Sequence, residues 1–229
     1  DRGVSAPLAA KRYKKNAEGD FVGTAAFGGI NKNQIGRIRN NYMDRVLEGV
    51  DGRHWYDESS QQILDWAGGD VQKAEKFANA LAITSAGTGV SPNLAAAFKA
   101  WDQNLMGHEV KAGRFPNKMG AEMQDTFDSV ENAATGLKRN PFSAGLSVAW
   151  RGHDFPTRAT HDIHDARAWG FKNKDGSLFD RGLSDAEHRF LDDQMEYIVK
   201  RANAEKLGGF DNWTPARVQA AAWLGQKAK

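Results

Sequence analysis

The chain contains no cysteine among its 229 residues. That excludes disulfides, thiolate metal sites and a cysteine nucleophile. No apolar run approaches the roughly 18–20 residues that a membrane span needs. Net charge is also scarce: 31 Lys and Arg against 29 Asp and Glu leave +2, too little to attract a polyanion through bulk charge alone. No run alternates with period two, and no segment repeats. The opening residues, Asp1-Arg2-Gly3, carry neither an initiator Met nor a signal-peptide pattern. The expectation is an intracellular, cytoplasmic chain without a membrane partner, either processed or cut from a larger polypeptide.

What is present is ordinary globular material, 40% hydrophobic and 26% charged, long enough for one large helical domain or two small ones. Residues 1–29 read as a basic, glycine-containing arm, with Lys11, Arg12, Lys14 and Lys15 clustered in it. Residues 30–229 read as a single all-α domain, with two lobes and a cleft between them as a variant. Apolar spacing of three and four places a helix over Ile35, Ile38, Tyr42, Val46 and Leu47, capped by Asn31. A second helix starts at Asp57 or Ser59, just after Trp55 and Tyr56. Asp70 caps a third, Val71 to Ile83, and Ser91-Pro92 opens a fourth through Leu105. Residues 107–120 read as irregular, 121–130 as a short helix, and Phe142 to Trp150 as one apolar helix. Ser184 with Glu187 forms a capping box that launches a long helix to Leu207, and Thr214-Pro215 starts the last.

Chemistry concentrates in Thr160-His161-Asp162-Ile163-His164-Asp165-Ala166-Arg167-Ala168-Trp169. Three readings compete. His161 and His164 share a helical face, and Asp165 or Asp162 could complete a metal set, as in metal-dependent phosphohydrolases that draw further ligands from other helices; His54, His108, His153 and His188 are available. In a purely structural reading, Asp162 or Thr160 caps a helix, Asp165 and Arg167 face solvent, and Ile163, Ala166 and Trp169 pack inward.

The third reading rests on order along the chain. A small-residue apolar segment ending Leu146-Ser147-Val148-Ala149-Trp150 leads through a short loop to Asp162-Ile163-His164-Asp165-Ala166-Arg167. An earlier segment, Leu81-Ala82-Ile83-Thr84-Ser85-Ala86-Gly87-Thr88-Gly89, is followed by a helix from Leu94 to Trp101. Over about residues 78–169 this resembles the helix–hairpin–helix superfamily of DNA base-excision glycosylases, in which an Asp-x-His-x-x-Arg motif holds the catalytic aspartate.

That resemblance implies an all-α fold, a DNA partner, no cofactor and a flipped base. Asp162 would stabilise the oxocarbenium charge as the base–sugar bond breaks and would orient water, with His164 and Arg167 supporting it. The family's hairpin falls on residues 133–140. Gly136 keeps its first glycine, Lys138 replaces the second, and Lys138 and Arg139 would grip phosphate with side-chain charge. Asn140, the other position assigned to the chemistry, stands where some members carry a lysine nucleophile, so the expected reaction is monofunctional hydrolysis rather than a Schiff-base lyase. Gly87 occupies the position of a gap-filling glutamine, with Thr88 beside it as a DNA contact. Trp55 and Tyr56 are candidates for a base pocket, Trp101 a further one. The alternatives from other classes are a non-enzymatic helical DNA-binding or assembly module, a base-modifying enzyme on the same scaffold, and the phosphohydrolase using His161, His164 and Asp165.

Overall fold

A computed structural model describes residues 14–15, 21–22, 32–129, 134–152, 158–173 and 175–227. The architecture is all-α. Ten helices lie among the described residues: α1 (Lys32–Glu48), α2 (Trp55–Trp66), α3 (Val71–Thr84), α4 (Val90–Leu105), α5 (Pro116–Asp128), α6 (Arg139–Gly145), α7 (Val148–Arg151), α8 (Ile163–Ala168), α9 (Asp185–Ala204) and α10 (Pro215–Lys227). Among the described residues, extended structure is limited to a two-residue antiparallel pair, β1 (Lys14–Lys15) with β2 (Phe21–Val22), and one bridge between Lys172 and Leu178. The remainder of the N-terminal arm, the Asn31 cap and His153 lie outside the described residues. Among those residues, no helix is long and apolar enough to cross a membrane.

The chain divides into two compact units, one of residues 1–52 and 161–229, the other of Arg53–Thr160. In the first unit α10 packs against α1, α8 and α9. Its small residues make this possible: Ala216, Ala220, Ala221 and Ala222 are buried. Where α1 meets α10, Gly49 and Gly225 bring the two backbones together, and a Cβ on either would overlap a carbonyl of the opposite helix. α9 contributes Phe190, Leu191, Met195 and Ile198 to the core, each worth about 1.5–3 kcal/mol of apolar burial. Its start carries the expected reciprocal cap between Ser184 and Glu187.

In the second unit α3 is the central helix, packed against α2, α4, α5 and α6. Every residue from Phe77 to Thr84 is buried, as a helix surrounded by others requires. Asp70 caps it as expected, accepting from Lys73 N at 3.1 Å. Beside it Trp66, Phe77, Phe98, Trp101 and Phe127 form an aromatic cluster dominated by edge contacts, with Trp101 to Phe127 at 5.3 Å.

Several boundaries differ from the sequence expectation. α2 begins at Trp55, so Trp55 and Tyr56 belong to the helix rather than preceding it. α4 begins at Val90, capped by Gly89, one residue before Ser91. α5 begins at Pro116 and runs through Gly120, within the stretch expected to be irregular. Gly120 is tolerated there because its bare Cα lies against the Val110 carbonyl, where no Cβ would fit. The expected helix from Phe142 to Trp150 is two short ones, separated at Leu146-Ser147.

Candidate active site

α8 is short and closed at both ends by its own residues. Asp162 is the N-cap: its backbone is extended, and its Oδ1 accepts from Asp165 N at 2.8 Å. At the other end Gly170, at φ 82°, takes the left-handed conformation. Its N–H reaches Arg167 O and the next, from Phe171, reaches Ala166 O, both at 2.9 Å. This double closure explains why a glycine follows Trp169.

The side chain at the centre of this segment is Asp165, fully buried. The expectation that Asp165 faces solvent is therefore wrong. Tyr42 from α1 donates its hydroxyl to Asp165 Oδ1 at 2.6 Å, and His161 Nδ1 lies 2.5 Å from Oδ2. Tyr42 is itself buried and stacked on Trp169, with ring centroids 3.8 Å apart. The second ring nitrogen of His161 lies 3.4 Å from Asp192 Oδ1 on α9, an ion-pair distance without a well-formed hydrogen bond. The His188 ring, also from α9, is 6.2 Å from that of His161.

A carboxylate on each side of the ring makes His161 an imidazolium. Burial alone would lower its pKa, but Asp165 and then Asp192 outweigh that and hold it at about 9. Burial pushes the Asp165 carboxyl above its ordinary value, against the opposing pull of His161 and Tyr42. The pair holds one proton. It belongs on His161, because Tyr42 donates to Asp165 and thereby favours the anion, and the charges of Asp165 and Asp192 both favour the protonated ring. Burial and the neighbouring Asp165 push the Tyr42 hydroxyl well above its usual range, so it stays a donor.

Asp162 itself is half-buried. One carboxylate oxygen is pinned by the Asp165 N–H; no second hydrogen bond reaches the side chain from the described residues. Of its proposed supports, His164 packs edge-on to Trp223 at 6.5 Å. Arg167 donates from Nε to Phe179 O at 2.7 Å, holding that residue's backbone to α8.

The alternative metal set is not assembled. His161 and Asp165 are spent on each other, and His164 lies against Trp223. Among the described residues no group of three His, Asp or Glu could hold an ion.

The remaining sequence candidates lie in the second unit. Tyr56 is buried, donates to Thr160 Oγ1 at 3.0 Å, and its ring lies close against Gly145, so it is a core residue. Trp55 is half-buried and nearly parallel to Phe142, with an interplanar angle of 14° at 6.2 Å. Trp101 is buried in the aromatic cluster. Gly136, exposed at φ 101°, accepts the Asn140 N–H at 3.1 Å on the way into α6. Asn140 is exposed in the first turn of that helix.

The two segments singled out in this unit do meet: Lys138 Nζ donates to Ser85 O at 3.0 Å, at the turn carrying Gly87 and Thr88. Thr88 closes that turn onto Thr84 O at 3.0 Å. The Arg114 guanidinium rests against Gly87. Arg139 is paired with Glu122. Both cations expected to grip phosphate thus have partners inside the protein.

Sequence reasoning missed Tyr42 and Asp192. A signal existed for the first: a tyrosine within the apolar stripe of α1 needs a buried acceptor for its hydroxyl. For Asp192, in a helix with many charges, there was none. No family model matches the chain, and no curated protein or solved structure matches it either.

Proposed function

We propose that this chain is a DNA base glycosylase-like domain that extrudes a base and hydrolyses its N-glycosidic bond without a lysine nucleophile. The observation that carries the reading is the state of Asp162. Its carboxylate is held by one hydrogen bond through Oδ1, while the other oxygen has no partner among the described residues. A carboxylate that stabilises an oxocarbenium ion and orients water must be fixed, ionised and open on one side. Asp162 is held through Oδ1 by the Asp165 N–H and is half-buried, which supports the first of these conditions. DNA binding would draw on Lys138 and Arg139, each of which must exchange its internal partner, Ser85 O or Glu122, for a phosphate.

The test is incubation with DNA carrying assorted modified and unmodified bases, followed by mass analysis for free base. Release is expected from at least one substrate. Asp162→Asn is expected to abolish release while leaving DNA affinity unchanged or improved; release at the wild-type rate from this variant would remove the mechanism. A second reading, a non-enzymatic helical module that binds DNA or assembles with a larger protein, is favoured by one observation. Asp162 already has a structural task, capping α8, which is sufficient reason for an aspartate there.

A further inference from the structure

We propose that Asp165 is a positioning residue for Asp162, held in place by Tyr42 and His161 so that the carboxylate three residues earlier is presented in a single orientation. The inference rests on the reading of Asp162 as the reacting carboxylate.

Capping α8 explains Asp162 but not Asp165. A cap needs only the backbone N–H at position 165, which any residue but proline supplies. An apolar side chain would fill a fully buried site at lower cost, since burying a carboxylate costs several kcal/mol unless it is paired. Here both carboxylate oxygens are paired, one to Tyr42 and one to His161.

The connections form a closed loop around Asp162. The His161 side chain reaches forward to the Asp165 carboxylate, and the Asp165 N–H reaches back to the Asp162 carboxylate. The residue before Asp162 and the residue three after it are thus anchored to one another. Tyr42 ties this clasp to α1 and Asp192 ties it to α9. Trp169, stacked on Tyr42, closes it from the end of α8. The Asp165 N–H that holds Asp162 therefore has little freedom to tilt. Fixing a reacting group before substrate arrives is what such a supporting frame achieves, and a displacement of about 1 Å is enough to cost on the order of a hundredfold in rate.

The experiment compares wild type with Tyr42→Phe, Asp192→Asn and Asp162→Asn in steady-state base release, with circular dichroism to establish folding at the assay temperature. Tyr42→Phe keeps the ring and its stacking and removes only the bond to Asp165. It is expected to lower kcat about tenfold with KM for DNA within about twofold of wild type, a loss confined to the chemical step. Asp192→Asn, which loosens His161 from a partly exposed position, is expected to act in the same direction and serves if Tyr42→Phe does not fold. Wild-type kcat in both Tyr42→Phe and Asp192→Asn, with Asp162→Asn inactive, overturns the positioning role and leaves the function standing. Full activity in Asp162→Asn, or no base released by the wild type, overturns the function and this inference with it.

Discussion

His161 and Asp165, one turn of chain apart, hold a single proton across 2.5 Å in a site where their side chains are 1% and 0% exposed. The consequence is a dependence of stability on alkaline pH. His161 is faced by Asp165 from its own segment and by His188 and Asp192 from α9, while Tyr42 from α1 and Asp162 act on Asp165. Its folded pKa of about 9 lies above the unfolded value near 6.5. The stabilisation is therefore complete below about pH 6.5 and is lost as pH rises through about 9, amounting to roughly 3 kcal/mol. Thermal melts across pH 6–10 should show a falling midpoint on the alkaline side. In Asp192→Asn the fall should begin at lower pH, because one of the anions that holds the proton has been removed. A flat profile would mean that His161 titrates alike in the folded and unfolded chain, and a midpoint rising from about pH 6 to 7.5 that it is neutral in the fold.

The close passage of α1 and α10 gives a second expectation. A Cβ on Gly225 would overlap the Arg45 carbonyl and approach Gly49 N, both backbone atoms at the packed C-terminal end of α1. Gly225→Ala should therefore destabilise despite the better helix propensity of alanine, by about 1–3 kcal/mol, the usual cost of overpacking. Gly36, an α1 glycine with open space around it, provides the control: Gly36→Ala should stabilise by about 0.5–1 kcal/mol. Chemical denaturation of the two variants separates propensity from packing, and equal effects would contradict the crossing geometry.

How much of this was readable in the chain depends on distance. The caps at Asp70 and Ser184 were legible because each is completed within three residues. The start of α5 was not, because Pro116 stands between Gly113 and Gly120, and only the tertiary approach of Val110 explains a glycine inside a helix. Asp162 as a cap was visible in the 160–169 stretch. The burial of Asp165 was not: its decisive partner, Tyr42, lies 123 residues earlier, and in sequence an aspartate beside a histidine and an arginine reads as a solvated charge. Lys138 and Arg139 looked available for phosphate for the same reason, since Ser85 and Glu122 are distant in the chain.

Substitutions at Asp162 separate the two tasks proposed for it. Asparagine caps a helix about as well as aspartate, whereas alanine cannot accept the Asp165 N–H and costs about 1 kcal/mol. Asp162→Asn should therefore unfold within about 0.5 kcal/mol of wild type in urea, and Asp162→Ala should be weaker by the cap energy. Both should fail to release base. If activity instead follows stability, surviving in the asparagine variant and declining only in alanine, the carboxylate is a cap and nothing more.

The basic pair at the entry to α6 offers the last test, because its charges are engaged in the unbound protein. Arg139 is paired with Glu122, and the side chains are 26% and 33% exposed. Such a partly solvated pair contributes little to stability, about 1 kcal/mol or less. Releasing Arg139 should therefore be cheap, and Glu122→Gln should raise DNA affinity by removing a competing anion and a repulsive charge together. The double variant Lys138→Ala/Arg139→Ala should lower affinity, and the logarithmic salt dependence of binding should flatten by roughly one for each phosphate no longer neutralised. Fluorescence anisotropy with a labelled duplex, titrated over a range of salt concentrations, measures both quantities. The two variants must move in opposite directions. If neither the affinity nor the salt slope changes in either variant, this end of α6 does not touch the DNA backbone, and Lys138 serves only to hold the turn at Ser85.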